Sequence, residues 1–230
     1  MRVIWVIAIL MIAGVSVIQA APSYLGPSGV ILTPDEKTVP HKQFGIGYHM
    51  ISNIDFRGDD NRDLNIFHNE YGLTPSIEIG PTIVDQQDNG SDLAINGKWR
   101  FMDETAKIPA IAVGVLDASG NAIDDNASFY LLFSKNLTRT ATEVAKTPSK
   151  PLRGTIGVGS GFFDGIFASL DWTYNPQLSV MAEIVNGGDF FDNTMVNAGL
   201  RYSISSGLRL DLATIDFDSI AFGISYTGGF

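Results

Sequence analysis

The sequence predicts an all-β chain: an antiparallel up-and-down transmembrane β-barrel of about twelve strands behind an N-terminal signal peptide. Three observations predict it. Although 45% of the 230 residues are hydrophobic and only 17% are charged, no apolar run beyond residue 20 reaches the roughly 20 residues of a spanning helix. Instead, hydrophobic residues alternate with Gly, Ser, Asn and charges in segment after segment, which gives a strand one apolar and one small or polar face. Aromatic residues also gather at one end of every second segment. The 24 glycines argue against a helical bundle, and the apolar content argues against disorder.

The elements follow in order. Met1 and Arg2 precede an uncharged stretch, Val3 to Ile18, and then the small residues Ala20 and Ala21 before Pro22. These are the parts of a secretory signal peptide, assigned to residues 1–20. An uncleaved anchor would call for a longer span and a basic cluster after it. Residues 21–41 are expected to form a periplasmic N-terminal segment, and 42–230 a single barrel domain. Strands are expected near 42–51, 64–74, 76–84, 92–102, 108–117, 127–137, 152–160, 165–174 and 177–185. The three clearest come last, at Val196–Ile204, Leu208–Ala213 and Ile220–Tyr226. Only 138–147 reads as a short helix.

Connections fall into two classes. Asp55 to Asp63, Asp85 to Ser91, Asp117 to Asp125 and Asn186 to Asp192 are longer and acidic. Thr74–Pro75, Asp103 to Lys107, Asn175–Pro176 and Ser205–Ser206 are tight. Short turns on one side and longer loops on the other suit an outer-membrane barrel; 138–151, 161–164 and 216–218 depart from that trend.

Charge and cysteine content exclude several functions. Without Arg2 the mature chain has 14 basic residues against 25 acidic, a net of −11, so nucleic acid is not an expected partner. The absence of cysteine removes disulfides, thiolate metal sites, Cys nucleophiles and a lipoprotein anchor.

Alternation by itself also fits a soluble sandwich or a lipocalin-like barrel binding an apolar ligand, with the apolar face inward. The aromatics argue for lipid outside. Trp99, Phe101, Trp172, Tyr174, Tyr202 and Tyr226 all fall at the periplasmic ends of even-numbered strands, where such rings favour the membrane interface. The chain ends on Phe230 after an alternating strand, resembling the signal by which outer-membrane proteins engage their assembly machinery. Outer-membrane lipid and that machinery are thus expected partners, in a bacterial outer membrane, for a monomer.

Gly26-Pro-Ser-Gly-Val-Ile-Leu-Thr-Pro34, Gly72-Leu-Thr-Pro-Ser-Ile-Glu-Ile-Gly80, Asn96-Gly-Lys-Trp-Arg100 and Ala110-Ile-Ala-Val-Gly114 are similar to segments of the YjbH-like family. So are Phe163-Asp-Gly-Ile-Phe167, Asn175-Pro-Gln-Leu-Ser179, Met181-Ala-Glu183, Val196-Asn-Ala-Gly-Leu-Arg-Tyr202 and Leu208-Arg-Leu-Asp-Leu-Ala213. These hairpin signatures span most of the mature chain. The resemblance implies an outer-membrane barrel linked with exopolysaccharide production, with polysaccharide or its export proteins as partners.

The inward parity contains Glu78, Lys98, Arg100, Arg153, Asp171, Glu183, Arg201, Arg209 and Asp211. They would line a narrow path for ions or sugars, or pair across strands and fill the lumen. An outer-membrane lipid hydrolase would need a Ser–His pair. His41, His49 and His68 are present, without a Gly-x-Ser-x-Gly elbow. Gly157-Val-Gly-Ser-Gly161 reads as a tight turn, and Asp59-Asp60-Asn61 lacks the spacing of a calcium loop. No catalysis, cofactor or metal is expected.

Overall fold

The computed structural model describes residues 20–56, 59–86, 90–123, 126–138, 150–186 and 194–229. The leader expected over 1–20 and Phe230 fall outside them, apart from Ala20. Among the described residues, twelve antiparallel strands close into one barrel in which each pairs with its sequence neighbours. They are β1 Phe44–Phe56, β2 Asp59–Thr74, β3 Ile77–Gln86, β4 Gly90–Met102, β5 Ala110–Leu116, β6 Ser128–Asn136, β7 Leu152–Gly159, β8 Gly165–Asn175, β9 Leu178–Asn186, β10 Thr194–Ser203, β11 Leu208–Ile215 and β12 Ser219–Gly228. Closure is made by β1 on β12, running from Phe44 opposite Gly228 to Ser52 opposite Ile220. A closed ladder leaves no unpaired edge, so the outward face can be wholly apolar.

Parity decides what each strand shows. In β12, Ser219, Ala221, Gly223, Ser225 and Thr227 turn inward, while Ile220, Phe222, Ile224 and Tyr226 face out. The same alternation puts Ile79 and Ile83 outside β3 and Glu78 and Thr82 inside it.

The first hairpin departs from expectation. Asp55 to Asp63 reads as an acidic loop, but β1 runs to Phe56 and β2 starts at Asp59. Register shifts between Ile51 and Phe56 carry the ladder past the polar residues, and Asn53, at φ 57°, donates its N–H to Asp63. Bulging lets residues of low strand propensity extend a hairpin. Of the helix expected at 138–147, all but Thr138 lies outside the described residues.

The segment expected to lie ahead of the barrel, residues 21–41, is instead folded into it. It enters beside Thr227, whose hydroxyl donates to the Ala20 carbonyl. It leaves by the same end, where the N–H of Lys42 donates to the Gly72 carbonyl. Every residue from Ala20 to Glu36 is buried. Short bridges, Pro22 to Ser28 and Gly29 to Pro34, fold it on itself. Gly26 makes its sharpest turn, at φ 114°, against Thr82, with no room for a side chain.

Beyond this plug, towards the far end, the lumen is mostly apolar, with Gln86, Asp117 and Ser128 among its buried polar residues. Ile51, Leu64, Ile66, Val84, Leu132 and Phe167 point inward and are fully buried. Two connections fold down to meet them. The single turn of 3-10 helix, Gly161–Phe163, delivers Phe162 and Phe163, and the β5–β6 connection delivers Ala122 and Ile123. Phe163 packs its ring 5.2 Å from Tyr130 and 5.1 Å from Phe167.

Candidate functional site: a plugged lumen

The half of the lumen nearest the chain's entrance combines charged wall residues with the backbone of the plug. On β9, Glu183 accepts the N–H groups of Ile31, Leu32 and Thr33 at 3.1, 2.8 and 3.1 Å. It also takes the Thr33 hydroxyl at 2.7 Å and the Asn197 amide at 2.8 Å. On β3, Glu78 accepts from the Ser28 N–H at 2.8 Å, the Ser28 hydroxyl at 2.7 Å and the Val39 N–H at 2.7 Å. Burying backbone donors unbonded would be costly. The plug's own carbonyls take several, among them the N–H groups of Tyr24, Gly29 and Val30, and the two carboxylates take those of Ser28, Ile31, Leu32, Thr33 and Val39.

The cations take the carbonyls. Arg201 donates to the carbonyls of Pro22, Gly29 and Val30 at 3.2, 3.0 and 2.9 Å. It also pairs with Asp211, its cross-strand partner, at 2.7 Å. Lys98 bonds the Ser28 carbonyl at 2.6 Å and pairs with its own cross-strand partner Glu78 at 3.0 Å. Arg209 is turned to the Gly207 carbonyl and Thr227 at the mouth.

At the plug's exit the pairing is between plug and wall. Arg153 and Asp171 face each other across β7 and β8, yet Arg153 reaches Glu36 at 2.7 Å and Glu104 at 3.0 Å. Asp171 takes Lys37 at 3.3 Å. Arg100 donates to the Pro75 and Glu36 carbonyls and pairs with Asp103. Burial pushes the Asp35 carboxyl up, but Lys37, Lys98 and Arg153 outweigh it and hold it below the usual carboxylate range. Burial and then the charge of Asp35 push Glu36 the other way, above it.

A buried chain of rings lies alongside. His49 is fully enclosed, with Nε2 3.4 Å from Asp211 and Nδ1 2.9 Å from Nε2 of His68, while Tyr24 of the plug packs on it with ring centroids 4.2 Å apart. Gly223 makes this possible, since a Cβ there would collide with the His49 ring. His41 is exposed at the mouth. Neither inner histidine reaches the outer surface, where a lipid ester would lie.

All nine charged residues assigned inward by parity are thus in the lumen, and they meet chiefly through the plug. The six aromatics Trp99, Phe101, Trp172, Tyr174, Tyr202 and Tyr226 all face outward and are between 39% and 51% exposed. Sequence reasoning missed the plug and the apolar far half. One signal was available: Tyr24, Leu25 and Val30 to Leu32 are too apolar for a hydrated linker.

The profile of the YjbH family, described as "Exopolysaccharide biosynthesis protein YbjH", matches residues 25–212. This chain belongs to the YjbH family. The YjbH match starts inside the plug and runs into β11. No curated protein matches the chain. Among solved structures, the KdgM porin is 11% identical, with a TM-score of 0.51 over 81% of this chain and 99% of that one. Omp33, an outer membrane protein of Acinetobacter baumannii, is 10% identical, with a TM-score of 0.48 over 84% of this chain and 100% of that one. Identity at this level speaks for the fold alone, which is that of bacterial outer-membrane barrels.

Proposed function

We propose that this YjbH-family chain is a closed, plugged barrel of the bacterial outer membrane that serves exopolysaccharide production as a structural component. It conducts little or nothing and catalyses nothing. One observation carries this reading: the lumen is occupied along its length, first by residues 20–40 and then by an apolar layer. A porin lumen is polar and water-filled; here the layer closed by Phe162, Phe163 and Phe167 offers ions no hydration. The apolar outward face and its aromatics support a membrane setting, with the chain's entrance and the tight turns on the periplasmic side. The barrel acts as a monomer with polysaccharide or its export proteins as partners.

Two measurements test this. The mature chain is expected in the membrane fraction and dependent on detergent; a chain soluble without detergent overturns the membrane reading. In planar bilayers the full-length protein is expected to show no stable conductance steps, and a steady open channel overturns the closed reading.

A further inference from the structure

The outward surface is not uniformly covered. Across β7, β8 and β9 the outward residues Gly154, Ala168 and Ala182 are small, each beside a large aliphatic on the next strand: Gly154 opposite Leu170, Ala168 opposite Ile156 and Ile184, Ala182 opposite Leu170. These small residues alternate with the standing side chains of Ile156, Leu170 and Ile184, and a furrow of about 900 Å³ results. Its walls are exposed: Ile156, Leu170 and Ile184 are each more than 40% open. In water such a furrow would be an apolar patch. In a bilayer it is a gap in a hydrocarbon wall, and the side chains around a void lose their dispersion contacts.

One end of the furrow is cationic. Lys107 and Lys135 line it at the end bearing the tight turns. Lys135 is tied to the carbonyls of Thr105, Ala106 and Ile108 and to Glu104 at 3.7 Å. Lys107 is exposed and makes no ion pair among the described residues. Lys150, just ahead of β7, is engaged elsewhere, 3.6 Å over the Tyr174 ring and 5.8 Å from that of Trp172. A flexible chain for the floor and an anion for Lys107 belong to one molecule.

We propose that the furrow holds one anionic glycerophospholipid of the surrounding bilayer, an acyl chain packed around Leu170 against Gly154, Ala168 and Ala182 and the phosphate at Lys107. The site rests on the membrane reading above. Charge complementarity selects lipid over a second copy of this chain, whose apolar outward face would leave Lys107 unanswered.

The test is native mass spectrometry of the full chain, extracted in mild detergent from bilayers of equal phosphatidylglycerol and phosphatidylcholine. The expected spectrum shows one retained phosphatidylglycerol per barrel. Lys107→Gln should lower the preference for phosphatidylglycerol about fivefold, the factor expected for one lysine near a charged lipid surface. Ala182→Leu with Ala168→Leu should fill the floor and abolish retention of either lipid, with folding verified by a heat-dependent gel shift. Retention unchanged in the filled variant overturns the site, as does a bare barrel from the parent or a dimer cross-linked through β7–β9. A chain that fractionates as soluble fails the membrane reading instead, so the two failures are distinct.

Discussion

Glu183 gathers donors from three consecutive plug residues on one side and from Asn197 on the other. Glu183→Gln keeps the shape but turns an amide N–H₂ toward N–H groups that need an acceptor. The expected loss is about 2–3 kcal/mol of plug anchoring. Hydrogen exchange at Ile31, Leu32 and Thr33 should rise sharply while exchange in β9 and β10 barely changes. Acid acts at a neighbouring place. Because the Asp35 carboxyl sits below the ordinary range in the fold, its stabilisation is present above that range and is lost as pH falls through the folded value. Glu36 runs the opposite way, favouring the fold most when protonated and losing that as pH rises. Asp35→Asn should therefore remove the acid-side loosening of the plug's exit, seen as protease cleavage near residues 35–40 against pH. Parity read from the sequence puts the nine charges on the inner face, and pairing across strands describes Glu78 with Lys98 and Arg201 with Asp211. The bonds to the plug were not legible, because main-chain N–H and C=O groups are present at almost every position and leave no mark in a sequence.

Asp117 shows how one connection becomes part of the core. It stands at φ 52° just after β5 and accepts the N–H groups of Gly120, Asn121, Ala122 and Ile123. The Ser119 hydroxyl donates to it as well. The chain is wound round one carboxylate, and Ala122 and Ile123 drop into the lumen. Asp117→Ala should release this connection at a cost of about 2 kcal/mol, read as new proteolysis within 117–127 while the strands stay intact. Twelve strands were legible because each carries its own period of two. Where Asp and Asn interrupt the period, as in β1 and β2, the reading stopped short of the observed strand. The inward fold of 117–123 was not legible: an acidic stretch reads as a solvated loop, and Ile123 alone gives no periodicity.

For the whole molecule, plug and apolar layer are two closures in series. Deleting residues 21–40 should leave a barrel that still conducts poorly, because the ring contacts of Phe163 are with Tyr130, Phe162 and Phe167, none of them in the plug. Combining the deletion with Phe163→Ala and Phe167→Ala should give stable single-channel steps in planar bilayers. Steps after the deletion alone would mean that the layer reorganises. Stability should follow the same order, since each large-to-small change in a packed interior costs about 3–5 kcal/mol.

The plug also has a consequence for assembly. It contains the first described residues of the chain, yet Tyr24 bonds to Ala221 and Ala20 to Thr227, 197 and 207 positions away. Contacts so distant in sequence form late and slowly. Because the plug enters and leaves through one mouth, no free end has to be threaded through the ring. A finished cylinder can be filled after it closes, and emptied again without opening a single strand pair.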